Sequence, residues 1–169
     1  MTCLLLIRHG ETVDNVNQIM QGQMQGQLTE SGIAQAERLA QEFSNKQIDT
    51  FVSSDLRRSV DTCKIIAAPH HKEVIQTQLL RERDWGGFTG RYIPSLKGEV
   101  WPEDVESLNE LKDRAQRFLS FIKDNFEGET VLAVGHGIIN KAIQAVHLGK
   151  EMRDVPRMTN AEVRTIYIT

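Results

Sequence analysis

Thr2-Cys3-Leu4-Leu5-Leu6-Ile7-Arg8-His9-Gly10 sets an unbroken apolar run against an arginine, a histidine and a glycine. Such a run reads as a strand covered on both faces, as in a parallel sheet; a strand with one wet face would alternate. The pattern returns once, at Thr130 to Val134, and is broken there by Gly135-His136-Gly137. These two strands decide the fold class.

Working outward, the intervening stretches carry helical periodicity. Thr29 is placed to cap a helix with the inward stripe Ile33, Ala36, Leu39, Ala40 and Phe43. Thr50 to Ser53 is a short strand, and Ser54 or Asp55 then caps a helix presenting Leu56, Val60, Cys63 and Ala67, with Pro69 just beyond its end. Glu73 to Thr77 gives a third strand. Ser107 and Glu110 form a capping box for a helix with the stripe Leu111, Ala115, Phe118 and Ile122, closing near Gly128. After His136 the apolar set is Ile138, Ile139, Ala142, Ile143 and Val146, and Val163 to Ile168 alternates as an edge strand should. Glu11 to Gln27 has neither period and is expected as a long loop holding at most a short helical piece; Arg81 to Gly98 is irregular. Strands alternating with helices specify an α/β fold: a single three-layer domain over residues 1–169, with a mostly parallel central sheet and helices on both faces.

Composition excludes several classes. The 169 residues carry 20 basic and 23 acidic side chains, a formal charge of −3, with 40% hydrophobic residues. A chain of about this length buries roughly 70% of its unfolded surface, so no disulfide or metal staple is required. The longest apolar run is far short of the ~20 residues that span a bilayer, and no cationic leader precedes it. Cys3 and Cys63 lack framework spacing and suit a reducing compartment. The expectation is a cytoplasmic protein with no membrane and no nucleic-acid partner, since nucleic-acid binding needs a basic face. Oligomeric state is not readable.

Ligands of open α/β sheets bind beyond the carboxyl ends of the strands, so His9 and His136 are expected to face one crevice. Arg58 falls in the first turn of the helix after the second strand, where a cation gains little unless an anion shares the site. Arg8, at the tip of a buried strand, raises the same question. Two guanidinium forks with free backbone N–H groups make a receptor for a phosphate-like dianion. A phosphate loop, a G-x-S-x-G elbow and an H-E-x-x-H metal helix are all absent. Arg8 stands one position too near Cys3 for a cysteine-phosphatase C-x5-R, and Cys63 has Pro69 at that spacing. No metal is expected, because Arg8 beside His9 would repel a cation. His70-His71 is expected in an exposed turn.

Together these pieces resemble the histidine phosphatase superfamily, also called phosphoglycerate-mutase-like, over nearly the whole chain. The likeness rests on Arg8-His9-Gly10-Glu11-Thr12 with Asn15, on Gln21-Gly22 and Leu28-Thr29, and on Gly32, Gln35 and Ala36. It continues through Ser54-Asp55-Leu56-Arg57-Arg58-Ser59-Val60-Asp61-Thr62, through Leu80-Arg81-Glu82-Arg83-Asp84-Trp85-Gly86-Gly87-Phe88-Thr89-Gly90, and ends at Gly135-His136-Gly137.

The resemblance implies a phosphohistidine mechanism without cofactor or metal. His9 would be the nucleophile, its other ring nitrogen held by a backbone carbonyl. Arg8, Arg58 and His136 would bind the non-bridging oxygens, Asn15 would add a neutral donor, and Glu82 would serve as acid and then base. Glu11 is expected to organise the turn. The chain departs from the family pattern at Gln25, usually acidic, at Ser59, usually alanine, and in a short Arg91 to Glu106 segment where a longer lid is common. It also ends at Thr169 with no basic tail. Water should therefore reach the intermediate, which favours a phosphomonoesterase acting on a small phosphorylated metabolite over a mutase or a non-catalytic binder. Relatives in the family include sugar-phosphate and α-ribazole phosphatases. Arg91, Lys97 and Trp101 are the candidates for the mouth, with Trp101 alternatively covering the core.

Overall fold

Residues 1–169 are described by a computed structural model in which β1 (Thr2–Arg8), β2 (Thr50–Ser54), β3 (Val74–Thr77), β4 (Thr130–Gly135) and β5 (Val163–Ile168) form one sheet in the order β3-β2-β4-β1-β5. The first four strands of that order run parallel, and β5 pairs antiparallel to β1 at the edge. The helices are α1 (Val13–Val16), α2 (Glu30–Phe43), α3 (Arg57–Ala67), α4 (Leu108–Asn125) and α5 (Gly137–Leu148).

The apolar runs of β1 and β4 are covered on both sides, as their lack of alternation requires. Leu4 and Leu6 pack with Val131, Ala133, Leu111, Phe118 and Ile143 in the layer under α4 and α5. Leu5 and Ile7 point the other way, to Leu132, Val134, Phe43, Cys63 and Ile66 under α2 and α3. Three layers result, and all of the parallel strands end on one edge.

Three local expectations change. Ile33 is 40% exposed, and Gly32 takes its place in the buried stripe of α2 with Ala36, Leu39, Ala40 and Phe43. The cause is a close crossing: a Cβ on Gly32 would lie 2.1 Å from the Glu11 carbonyl oxygen, so only glycine lets this helix start against the turn that carries His9. The α3 cap is neither Ser54 nor Asp55. Leu56 occupies the cap position without a side-chain bond, and the loop supplies the acceptors: Gln25 takes the Arg57 N–H on Oε1 (2.9 Å) and the Arg58 N–H on its carbonyl (3.2 Å). Asp55 instead forms a two-pronged ion pair with Arg81, both contacts 2.7 Å. His71 is in an exposed turn, but His70 is half-buried with its ring 5.1 Å from that of Phe51.

Candidate active site

Register brings the two histidines together. Arg8 on β1 is paired with Gly135 on the neighbouring parallel strand β4, so the residues that follow, His9 and His136, leave the sheet side by side. Their ring centroids are 5.1 Å apart in an edge-on arrangement, and both side chains are buried.

His9 Nδ1 lies 2.7 Å from the Gly10 carbonyl oxygen. A carbonyl can only accept, so Nδ1 carries the proton and Nε2 keeps its lone pair. Burial, then the charge of Arg58 and to a lesser extent Arg8, hold the ring's pKa well below the usual histidine range, against the opposing pull of the Gly10 bond. His9 is therefore a neutral imidazole at neutral pH with a bare Nε2.

Two guanidinium groups flank it. Arg8 donates from Nη1 to the Met158 carbonyl (2.8 Å) and Arg58 from Nη2 to the Gly22 carbonyl (2.8 Å), while Arg58 Nη1 meets the carbonyls of Met24 and Gln25. Burial depresses both pKa values, that of Arg58 to about 10, which leaves both charged at neutral pH. Arg8 Nε, Arg58 Nε and His136 Nδ1 are buried and have no protein partner. Unpaired buried polar atoms are costly, and two of these are guanidinium N–H donors whose charges act on the His9 ring, an arrangement suited to an oxyanion.

Glu82 reaches the same place through a different device. Both carboxylate oxygens accept from the start of α5, Oε2 from Ile138 N–H (3.1 Å) and Oε1 from Ile139 N–H (3.0 Å), and Oε1 also accepts from Arg83 N–H (2.8 Å). Its segment is anchored by Arg114, which pairs with Glu106 (2.8 Å) and donates to the carbonyls of Leu79, Arg81 and Glu82. Asn15 accepts on Oδ1 from Thr12 N–H and from Asn160 Nδ2, which turns its own Nδ2 into an available donor. Arg8, His9, Asn15, Arg58 and Glu82 line one cleft of about 220 Å³; His136, fully buried, does not line it and reaches the site only through its ring against His9. No group of three His, Cys, Asp or Glu side chains is placed to hold a metal ion.

The sequence model of the histidine phosphatase superfamily, branch 1, matches residues 4–169. The chain belongs to this superfamily. Among its relatives, a probable phosphoglycerate mutase (GpmB) of Proteus mirabilis is 34% identical over 88% of this chain and 76% of its own length. A metal-independent phosphoserine phosphatase of Arabidopsis thaliana is 32% identical over 99% of this chain and 77% of its own. The solved phosphoserine phosphatase of Entamoeba histolytica, in complex with 3-phosphoglyceric acid, superimposes with a TM-score of 0.88 at 29% identity, covering 98% of this chain and 90% of that one.

In this histidine phosphatase the mouth differs from expectation. Arg91 is tied to Glu99 in an exposed pair (2.6 Å), Lys97 is exposed, and neither lines the cleft. Trp101 is 55% exposed, and one edge of it covers the buried Phe88, the rings 5.9 Å apart, in keeping with the alternative that it covers the core; it also packs edge-on against Trp85 at 5.5 Å, and it is Trp85 that faces the cleft. The Arg83 guanidinium stacks between both indoles, 4.6 Å and 5.3 Å from their centres. Sequence reasoning also missed Ile19, Met20, Ile93, Ile138 and Arg157 on the cleft wall, and Asn160, which donates to the His9 carbonyl (3.1 Å). None of these sits in a motif with a readable spacing. Glu11 organises the turn, its carboxylate accepting from Thr29 Oγ1 at 2.9 Å.

Two buried neutral histidines predict how this histidine phosphatase responds to acid. Their folded pKa values are depressed, His136 also chiefly by burial and then by Arg58, so between the folded and unfolded values only the unfolded chain binds the protons. Stability is full above about pH 6.5 and is lost as pH falls from there, with a slope of about 1.4 kcal/mol per pH unit for each ring. Urea midpoints from pH 8 to pH 5 measure this, and His9→Gln should remove about half of the slope. A slope unchanged in that variant would place the titration elsewhere.

Proposed function

We propose that the chain is a metal-independent phosphomonoesterase that hydrolyses a small phosphorylated metabolite through a phosphohistidine on His9. The observation that carries this reading is the bare His9 Nε2 beside the unpaired Arg8 Nε, Arg58 Nε and His136 Nδ1, with the Glu82 carboxyl group in the same cleft.

The steps follow from charge. The Nε2 lone pair forms a bond to phosphorus as the bond to the leaving oxygen breaks, and the non-bridging oxygens are held by Arg8, Arg58 and His136, with Asn15 as a neutral donor. Glu82 gives its proton to the departing alkoxide. It then takes a proton from the water whose oxygen attacks phosphorus, the N–P bond breaks, and inorganic phosphate leaves. Of the segment from Arg91 to Glu106 only Ile93 lines the cleft, so water has a path to the intermediate, which supports hydrolysis over transfer to a second acceptor.

The rim supports the substrate class. Ile19, Met20, Trp85 and Ile93 give it an apolar wall, and Arg157, near enough to Arg8 to depress its pKa, makes no side-chain hydrogen bond or ion pair. A compact alcohol bearing a second anionic group fits such a rim, in keeping with the phosphoserine and 3-phosphoglyceric acid of the Entamoeba relative. In EDTA, the protein should release phenol and phosphate in equal amounts from an aryl phosphate. Arg157→Ala should raise KM about tenfold for carboxylated phosphoesters while leaving the aryl phosphate nearly unchanged. Inertness across a phosphomonoester panel, or phosphoryl transfer between phosphoglycerate hydroxyls that outruns hydrolysis, would overturn the proposal.

A further inference from the structure

Ser54 is the last residue of β2, the strand on the far side of β4 from β1, and its hydroxyl is fully buried. Its Oγ meets two partners: the Leu56 N–H at 3.0 Å and His136 Nε2 at 2.8 Å. The Leu56 N–H can only donate, so it occupies one lone pair of Oγ. The serine proton then has a single acceptor within reach, His136 Nε2. If that nitrogen carried its own proton, the serine O–H would be buried without a partner, at a cost of the order that makes such groups rare.

We propose that Ser54 is a positioning residue that fixes the tautomer of His136, holding the proton on Nδ1. The role assigned to His136 rests on the phosphoryl-transfer reading above. Nδ1 is the ring atom left without a protein partner. With the proton there it presents a donor to a non-bridging oxygen; with the proton on Nε2 it would present a lone pair to that oxygen and repel it. The ring is neutral because it is buried and stands in the field of Arg58, His9, Arg8 and Arg114, so the choice of tautomer decides whether His136 helps or hinders. His9 and His136 thus carry their protons on the same ring position for opposite ends. The Gly10 carbonyl fixes one proton to free a nucleophile, and the Ser54 hydroxyl fixes the other to create a donor.

The test reads the protons directly. In protein with 15N-labelled histidine at pH 7.5, the His136 signals should show a protonated Nδ1 and a bare Nε2. Ser54→Ala should move the proton to Nε2 and lower kcat about 10- to 100-fold, the scale of weakening one oxyanion donor, with a smaller change in KM. Ser54→Thr, which keeps the hydroxyl, should restore the tautomer and most of kcat. A proton on Nε2 in the wild-type protein overturns the proposal, and so does a Ser54→Ala protein that keeps both the tautomer and kcat. If Ser54→Ala fails to fold, the wild-type spectrum alone decides. That spectrum needs no substrate, so absent turnover bears on the proposed activity and a misplaced proton bears on Ser54.

Discussion

His9→Ala is expected to lower kcat for an aryl phosphate by about 10⁵-fold, the scale of removing a nucleophile from a site whose other parts remain. The loss should fall on kcat alone. Arg8 Nε, Arg58 Nε and His136 Nδ1 stay in place, so inorganic phosphate should bind the variant within a few-fold of wild type. The deleted ring is 2% exposed and bonded only to its own neighbour Gly10, and the turn that carries it is held independently by the Gly10 N–H to Thr62 (3.1 Å) and the Glu11 N–H to Gln35 (2.9 Å). Free imidazole in millimolar amounts should recover part of the rate by taking the vacated position. A variant that retains a tenth of wild-type turnover would mean that water attacks phosphorus directly and that His9 only binds.

Glu82→Gln separates leaving groups. A phenolate departs without help, whereas an alkoxide needs a proton, so the variant should lose about 10³-fold on an alkyl phosphate and only about tenfold on an aryl phosphate. Glutamine keeps one oxygen for the N–H groups of Ile139 and Arg83 and gives up only the bond from Ile138 N–H, and the Arg114–Glu106 pair still anchors the segment, so folding should survive. With the activated ester the slow step moves to hydrolysis of the intermediate, and phosphoenzyme should accumulate as a burst. Equal losses on both esters would make Glu82 a brace for α5 and nothing more.

Much of the architecture was legible because it depends on local pattern. Unbroken apolar runs at Cys3 to Ile7 and Val131 to Val134 mean strands buried on both faces, and capping residues such as Thr29 and Ser107 mark helix starts that the structure keeps. Where expectation failed, a distant partner had overruled the local signal. Ile33 yields its inward place to Gly32 because the Glu11 backbone crosses there, and Ser54 does not cap because the helix starts later, at Arg57, leaving its Oγ to accept from Leu56 N–H and to meet His136 Nε2. Gln25 then caps α3 from a loop 32 residues away in sequence.

The candidate site divides the same way. His9, Arg8, Arg58, Glu82 and His136 sit in recognisable stretches, and register alone brings the two histidines together. The mouth has no such pattern. Trp85 faces the cleft with Trp101 and Arg83 packed against it, and Arg157 and Asn160 arrive on the connection between α5 and β5, whose path is set by tertiary packing. Charge and aromaticity in Arg91, Lys97 and Trp101 therefore pointed to the right segment and the wrong side chains.

Rapid quenching of the protein with a 32P-labelled phosphomonoester, followed by peptide mapping, tests the account most directly. It predicts up to one phosphoryl group per chain on the peptide containing His9, attached at Nε2, stable in base and lost in acid. A label on serine or cysteine, or a burst of alcohol with no phosphoryl group on the protein, would contradict it.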